Sequence, residues 1–339
     1  MTTAPVGAPQ RRGTSPRSKD RPAPRDRRPM TASRRANRAG LAFVSPTFLV
    51  VLVVVILPIL WTVLLAFQDA KLVDIQGMGL FGNWSLDNFA QIFGSAGFWS
   101  SLGTTLIYTA GATAGSVVLG LIAALALRKP FRGRGLLRAA MLLPYVAPVV
   151  AVAFVWEVAL SPQYGVVNDW GRRLFGWDDP IAFLSTREYE VSLLGMHFDI
   201  PLALLTVIAF ECWRYFPFAF LFILARLQAV PHGLEEAALV DGATHTQRFR
   251  YVLLPQLMPV IALLCVLRFI LTFNKFDDVY LLTGGGAGTD IAAVRVYDFL
   301  TARYDVGAAA AQALVLAVSL MILLGFYFKF FGNKVQEES

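Results

Sequence analysis

Charge is scarce in this sequence. Asp, Glu, Lys and Arg make up 16% of the 339 residues, and 56% are hydrophobic. A soluble domain usually carries about a quarter charged residues, so an ordinary soluble enzyme is excluded. Cysteine is nearly absent as well. Cys212 and Cys265 both fall in apolar stretches, which leaves no disulfide framework and makes packing their expected role. The three histidines, His197, His232 and His245, are scattered through polar connections, with no HExxH or CxxC spacing. No GxSxG surrounds a serine in an apolar run. The glycine-rich run Gly284–Asp290 lacks the Lys-Ser/Thr pair of a phosphate loop, and Thr289 stands where a dinucleotide motif needs glycine. It reads as a flexible turn. No catalytic, metal or cofactor site is expected in the chain, and no means of hydrolysing ATP.

Long apolar runs are abundant instead. Six stretches are expected to cross a bilayer: Leu41–Phe67, Phe98–Leu127, Ala139–Leu160, Pro201–Ala225, Pro255–Thr283 and Gly307–Phe331. Each reaches or exceeds the roughly 20 residues that a helix needs to span the hydrocarbon core. Pro46 and Pro58 are expected to kink the first. The fold class is therefore an all-α, six-helix polytopic membrane protein. Residues 1–40 form a basic, Pro/Ser/Thr-rich arm without apolar periodicity, expected to be disordered and drawn to anionic lipid rather than to nucleic acid. Residues 41–331 form the membrane domain and 332–339 a short tail.

The cations sort by side. The arm, 128–138, 226–254 and the C-terminal end carry 21 Lys and Arg, and the intervening connections 68–97, 161–200 and 284–306 carry 6. Positive connections stay cytoplasmic, so both termini are expected inside. The net charge of +7 is thus a signal of orientation.

The cytoplasmic connection 231–255 carries the strongest local signal. Pro231 suits a first helical turn, Glu235 and Glu236 complement the dipole there, and Ala237 and Ala238 are good helix formers. Gly242 ends the element, and Thr244 and Gln247 make a capping-box pattern that starts another. The product is a short helix, a tight turn and a second helix. It suits either docking into a protein cleft or lying in the membrane interface.

Glu236-Ala237-Ala238-x-x-x-Gly242, nine residues, then Val252-x-Leu254-Pro255 resembles the EAA signature of permease subunits of binding-protein-dependent ABC importers. Asp241 matches the Asp-Gly-Ala extension, and Val252 replaces the usual Ile. Several further motifs resemble the maltose and multiple-sugar branch: Trp213-x-x-x-Pro217-Phe218, Leu143-Pro144-Tyr145, Gly165-x-x-Asn168 and Phe276-Asp277-x-x-Tyr280. Gly103-Thr104 departs from an Asn-Thr pair usual in the second span. The resemblance covers about Leu41 to Phe331. It implies a cell-membrane permease that pairs with a second permease subunit and two cytoplasmic ATPases, which bind ATP and Mg. It implies an extracytoplasmic binding protein that delivers a sugar, an oligosaccharide or disaccharide. Glu235, Glu236, Ala237, Ala238, Asp241 and Gly242 would couple to the ATPase.

Ionisable residues inside spans are costly and face a cavity or a partner. Arg268, Leu271, Thr272, Lys275 and Val279 follow helical spacing and are expected on one face, with Asp278 near Lys275 and Glu211 paired with Arg214. One reading is a sugar cavity with an aromatic platform. The other is interhelical ion pairs that stabilise the bundle. The family's sugar contacts map onto Tyr145, Arg214, Phe218, Arg268, Leu271, Thr272 and Lys275, three of them cationic. An ion-coupled secondary transporter of a polar solute is the alternative class. It would use Glu157, Glu211, Asp277 and Asp278 as a proton relay, but it leaves the EAA pattern unexplained.

Overall fold

The computed structural model describes residues 42–73, 84–193 and 196–336. The basic arm 1–40 lies outside them. The chain divides into two compact units at Pro58.

The first helix, α1, runs from Ala42 to Ala66 without a charge. Its hydrogen-bond ladder widens over Leu52–Ile56, where the Leu57 N–H reaches back to the Leu52 carbonyl. The cause is Pro58: it lacks an N–H for the carbonyl four residues back, and its ring crowds that carbonyl. The same widening recurs at Phe249–Leu253, directly before Leu254-Pro255.

In the second unit, α2 (Asp87–Gly94) leads through Ser95 into the 32-residue α3 (Ala96–Leu127). After α4 (Arg134–Val146), α5 (Val149–Leu160), α6 (Val166–Phe175) and a hairpin comes α7 (Leu202–Ala229), which packs along α3. Small residues permit this approach. A Cβ added at Gly120 would lie 2.6 Å from the Ala219 Cβ and 2.8 Å from the Phe220 nitrogen. At Gly111 it would meet Ile208 and at Gly115 Cys212, so the small residues let the two helices approach closely. The flanking core contains Val117, Ala124, Leu127, Phe220, Ile223 and Leu227. Cys212 and Cys265 are both free thiols.

The third apolar stretch is not one helix. It folds as α4 (Arg134–Val146) and α5 (Val149–Leu160), bent by 96°. Ala147, preceding Pro148, is extended (φ −65°, ψ 143°), as steric conflict with a following proline ring favours. An expectation based on apolar length alone missed this break.

The all-α expectation also needs correcting. After α6 (Val166–Phe175), strands β1 (Tyr189–Leu193) and β2 (Met196–Ile200) pair antiparallel, with Tyr189 opposite Ile200. Both strands alternate apolar and polar residues in sequence, the period-two signal of a strand. The chain is mostly helical rather than wholly so.

Beyond α7 lie α8 (His232–Val240) and α9, which runs from His245 to Phe273. The expected fifth span is interrupted at Asn274–Phe276 and resumes as α10 (Asp277–Thr283). The Gly284–Asp290 turn is tied down: the Thr283 and Thr289 hydroxyls lie 2.5 Å apart, and Thr289 Oγ1 donates to the Gly286 carbonyl at 2.7 Å. Next comes α11 (Ala292–Thr301), anchored on α3 by the Ala292 N–H, which donates to Thr105 Oγ1 at 2.9 Å. Finally α12 (Val306–Gln336) buries its small start, Ala308–Ala311, and continues into the residues expected to form the tail. Among the described residues, five helices are long and apolar enough to cross a bilayer, and the bent pair α4–α5 makes a sixth if counted as one span.

Candidate functional site

Two regions gather the residues singled out from the sequence. The first lies midway along α7. Glu211 is fully buried and accepts a hydrogen bond from Arg268 Nη2 at 2.7 Å and from Lys275 Nζ at 3.1 Å. Thr272 Oγ1 adds a longer contact at 3.4 Å. Lys275 is also paired with Asp278, as its three-residue spacing suggested. The α9 break makes this possible: Lys275 lies past the end of the helix and turns back toward α7.

The expected Glu211–Arg214 pair does not form. Arg214 turns to the α4–α5 elbow, where its Nη1 donates to the Pro144 carbonyl at 3.4 Å and its Nη2 to the Ala147 carbonyl at 3.0 Å. Pro148 has no N–H to offer the Pro144 carbonyl four residues before it, so the guanidinium supplies the missing donor. Arg214 is thus a strap across the elbow, and Glu211 has two stronger donors across the bundle.

Tyr215, which the sequence reading passed over, joins the two groups. Its ring lies 4.2 Å from the Arg268 guanidinium carbon and 4.0 Å from Lys275 Nζ. Its hydroxyl accepts from Lys275 at 2.5 Å and from Arg214 Nε at 3.4 Å. Glu211, Tyr215, Phe218 and Phe222 are spaced 4, 3 and 4 apart on α7, so helical periodicity could have found it. Tyr145 packs against Tyr215 (ring centroids 5.8 Å apart) and Phe218 (6.0 Å), and Phe222 extends the row beyond Phe218. Tyr145 and Phe222 are exposed. Of the seven mapped positions, Tyr145, Arg214 and Phe218 gather at the elbow, and Arg268, Thr272 and Lys275 surround Glu211. Leu271 does not share their buried face and is exposed. Chemically, the region pairs its cations with internal acceptors and leaves an aromatic ledge uncovered.

The second region is the 231–255 connection. Pro231 precedes α8, and Gly242 is left-handed (φ 77°), which L side chains rarely adopt. The capping box forms in full: Gln247 N–H donates to Thr244 Oγ1 at 3.3 Å, and Thr244 N–H to Gln247 Oε1 at 2.8 Å. Glu236, Ala237, Asp241 and Gly242 are exposed, and Ala238 is half-buried. Glu235 is different, because its carboxylate holds Arg128 in a two-pronged ion pair at 2.7 and 2.8 Å. Leu234, Leu239 and Val240 were not singled out, yet they make the tip apolar; Val240 is 88% exposed.

In the 284–306 connection, Arg295 pairs with Asp290 at 3.1 Å. Partial burial pushes the Asp290 carboxyl above its ordinary range against the pull of Arg295.

Residues 116–336 match the family model described as "binding-protein-dependent transport system inner membrane component". The inner membrane ABC transporter permease protein YcjO of Escherichia coli is 40% identical over 240 residues, 70% of this chain and 76% of that protein. The trehalose/maltose transport system permease protein MalF of Thermococcus litoralis is 32% identical over 279 residues, 81% of this chain and 88% of that protein. Among solved structures, a chain of a bacterial ABC transporter involved in import of the acidic polysaccharide alginate shares the fold. It has a TM-score of 0.68 and 22% identity, covering 89% of this chain and 99% of that one. The chain, a multi-pass membrane protein, belongs to the family of binding-protein-dependent transport system inner membrane components.

Proposed function

We propose that this permease imports a sugar, an oligosaccharide or disaccharide, handed over by an extracytoplasmic binding protein and driven by two separate ATPase subunits that bind ATP and Mg. It spans the membrane six times, with α4–α5 as one broken span and both termini cytoplasmic, and it pairs with a second, different permease subunit. Support for the sugar comes from relatives such as the trehalose/maltose permease. Support for the orientation comes from the cation bias of 21 against 6.

The observation that carries the coupling is the exposed apolar tip of α8, a knob set in sequence between the long helices α7 and α9. Glu236, Ala237, Ala238, Asp241 and Gly242 seat in the ATPase, with Leu239 and Val240 filling its cleft. Glu235 is a support from within rather than a contact. In the membrane, the sugar ring stacks on the ledge of Tyr145, Phe218 and Phe222, and the charged cluster behind it fixes the ledge in place. ATPase closure shifts α8 and biases an equilibrium between inward and outward states.

The test is co-purification with the ATPase and sugar-stimulated ATP turnover in proteoliposomes. Gly242→Asp is expected to abolish both while the protein still inserts. Normal stimulated turnover in that variant would refute the coupling role.

A further inference from the structure

Chain connectivity links α8 to α7 through Val230-Pro231 and to α9 through the Gly242 turn. The structure adds a third link. Glu235 of α8 grips Arg128, the residue that closes α3: Nη1 and Nη2 of the guanidinium donate to the two carboxylate oxygens at 2.7 and 2.8 Å. Arg128 and Glu235 are 107 residues apart in sequence, and each side chain is only 24% exposed. A forked pair of this kind fixes orientation as well as distance.

The linkage continues past Arg128. The last carbonyls of α3 have no partners within their own helix. Arg138 Nη2 of α4 donates to the Leu127 carbonyl at 2.7 Å, and Arg134 Nη1 donates to the Arg128 carbonyl at 3.3 Å. α4 therefore holds the end of α3, and α4 leads straight to the elbow at Pro148 that Arg214 straps to α7. The glycine-mediated contact leaves α3 and α7 little freedom to slide past one another at Gly120.

We propose that the Arg128–Glu235 pair is a positioning pair of the transport cycle. It is the tether through which a displacement of α8 is passed to α3 and, through the Arg134 and Arg138 caps, to the α4–α5 elbow beside the aromatic ledge. The proposal rests on α8 being the ATPase-docked element. It predicts that breaking the tether uncouples: the ATPase stays bound and turns over ATP, but the helices lining the ledge no longer follow.

The experiment uses the full transporter with its ATPase and binding protein in proteoliposomes, and compares sugar moved per ATP hydrolysed. Arg128→Ala and Glu235→Gln are each expected to lower this ratio by about tenfold, within the range typical of coupling between sites. The ATPase should still co-purify, and thermal stability should be little changed. The reversed pair, Arg128→Glu with Glu235→Arg, is expected to recover most of the ratio, which two residues acting separately would not do. Single variants with an unchanged ratio would overturn the proposal. So would a reversed pair that fails to recover although the ATPase is bound. Loss of ATPase binding in the single variants would overturn it too, since the residues would then be docking contacts. The docking reading fails separately, if Gly242→Asp leaves ATPase binding and turnover intact.

Discussion

Removal of Glu211 tests whether the buried charges of α7 and α9 exist for each other. Glu211 is fully buried and the Arg268 side chain is 2% exposed, so Glu211→Met leaves a guanidinium in the interior without its carboxylate. Breaking a buried pair in this way costs about 3–5 kcal/mol. The Tyr215 ring, 4.2 Å from the guanidinium carbon, remains and offsets about 1 kcal/mol. The net loss is roughly 2–4 kcal/mol, which for a chain of a few hundred residues lowers the midpoint of thermal unfolding by roughly 5–10 °C. Arg268→Met is milder, because Glu211 keeps Lys275 at 3.1 Å and Thr272 at 3.4 Å. The double variant removes both charges and leaves Lys275 paired with Asp278. Replacing a whole buried pair with apolar groups of similar volume is close to neutral, so the double variant is expected within about 1 kcal/mol of the parent. The interaction energy across the cycle then has about the size of the two single losses together, roughly 2–4 kcal/mol or somewhat more. The assay is the fraction of detergent-solubilised complex surviving a fixed heating time, read by gel filtration, because unfolding of such proteins is seldom reversible. A double variant that loses the sum of the two single losses would refute the reasoning. It would show that the two charges do not compensate each other.

Other expectations follow from single contacts. Gly120→Ala places a Cβ 2.6 Å from that of Ala219, and the overpacking should destabilise by about 1–3 kcal/mol, visible as an earlier melt; an unchanged melt contradicts the tight α3–α7 contact. Asn168→Ala removes the acceptor of the Ile181 N–H (2.7 Å) and a donor to the Ile181 and Ser161 carbonyls. The loss should be about 1–3 kcal/mol, with faster proteolysis between α6 and β1 as the readout. Arg214→Ala should lower transport while leaving assembly intact, and Arg214→Lys should recover only part, since an ammonium cannot fork onto the Pro144 and Ala147 carbonyls; full activity in the alanine variant contradicts the strap. With Cys212 and Cys265 replaced by alanine, Tyr145→Cys should react with a membrane-impermeant maleimide and have its labelling slowed by sugar, whereas equal labelling of Val118→Cys, exposed on α3, would contradict a water-filled path at the ledge.

Features set by residues close in sequence were legible in advance. The left-handed turn at Gly242, the Thr244–Gln247 capping box and the Lys275–Asp278 pair each need at most a few neighbouring residues. Glu211 was misassigned for the opposite reason. Its partners lie 57 and 64 residues away, and spacing along one helix cannot rank them against Arg214 three residues on. The α4–α5 break and the hairpin were visible but outweighed. Pro148 lies inside an apolar run long enough to suggest one span, and the alternating strands lie in a connection where charge and the Gly165-x-x-Asn168 motif are the stronger signals. Tyr215 was missed because intramembrane charges drew the reading away from the aromatic residue sharing Glu211's face.

The two broken helices point to one place by an argument that does not use charge. Backbone at membrane depth must find its hydrogen bonds within its own helix, in neighbouring protein or in a water-filled cavity. α4–α5 breaks at Ala147-Pro148, and α9–α10 breaks at Asn274–Phe276. Both breaks are strapped to the same short stretch of α7, the first by Arg214 and the second by Glu211 and Tyr215 through Lys275. Two interruptions served by five consecutive residues of one helix are economical if that level of the membrane is where the path must bend and open. The Gly120 contact shows how closely the unbroken helices α3 and α7 pack. The buried ion pairs hold two irregular segments beside the aromatic ledge, and under the proposed function the ledge is the surface that the transported molecule meets.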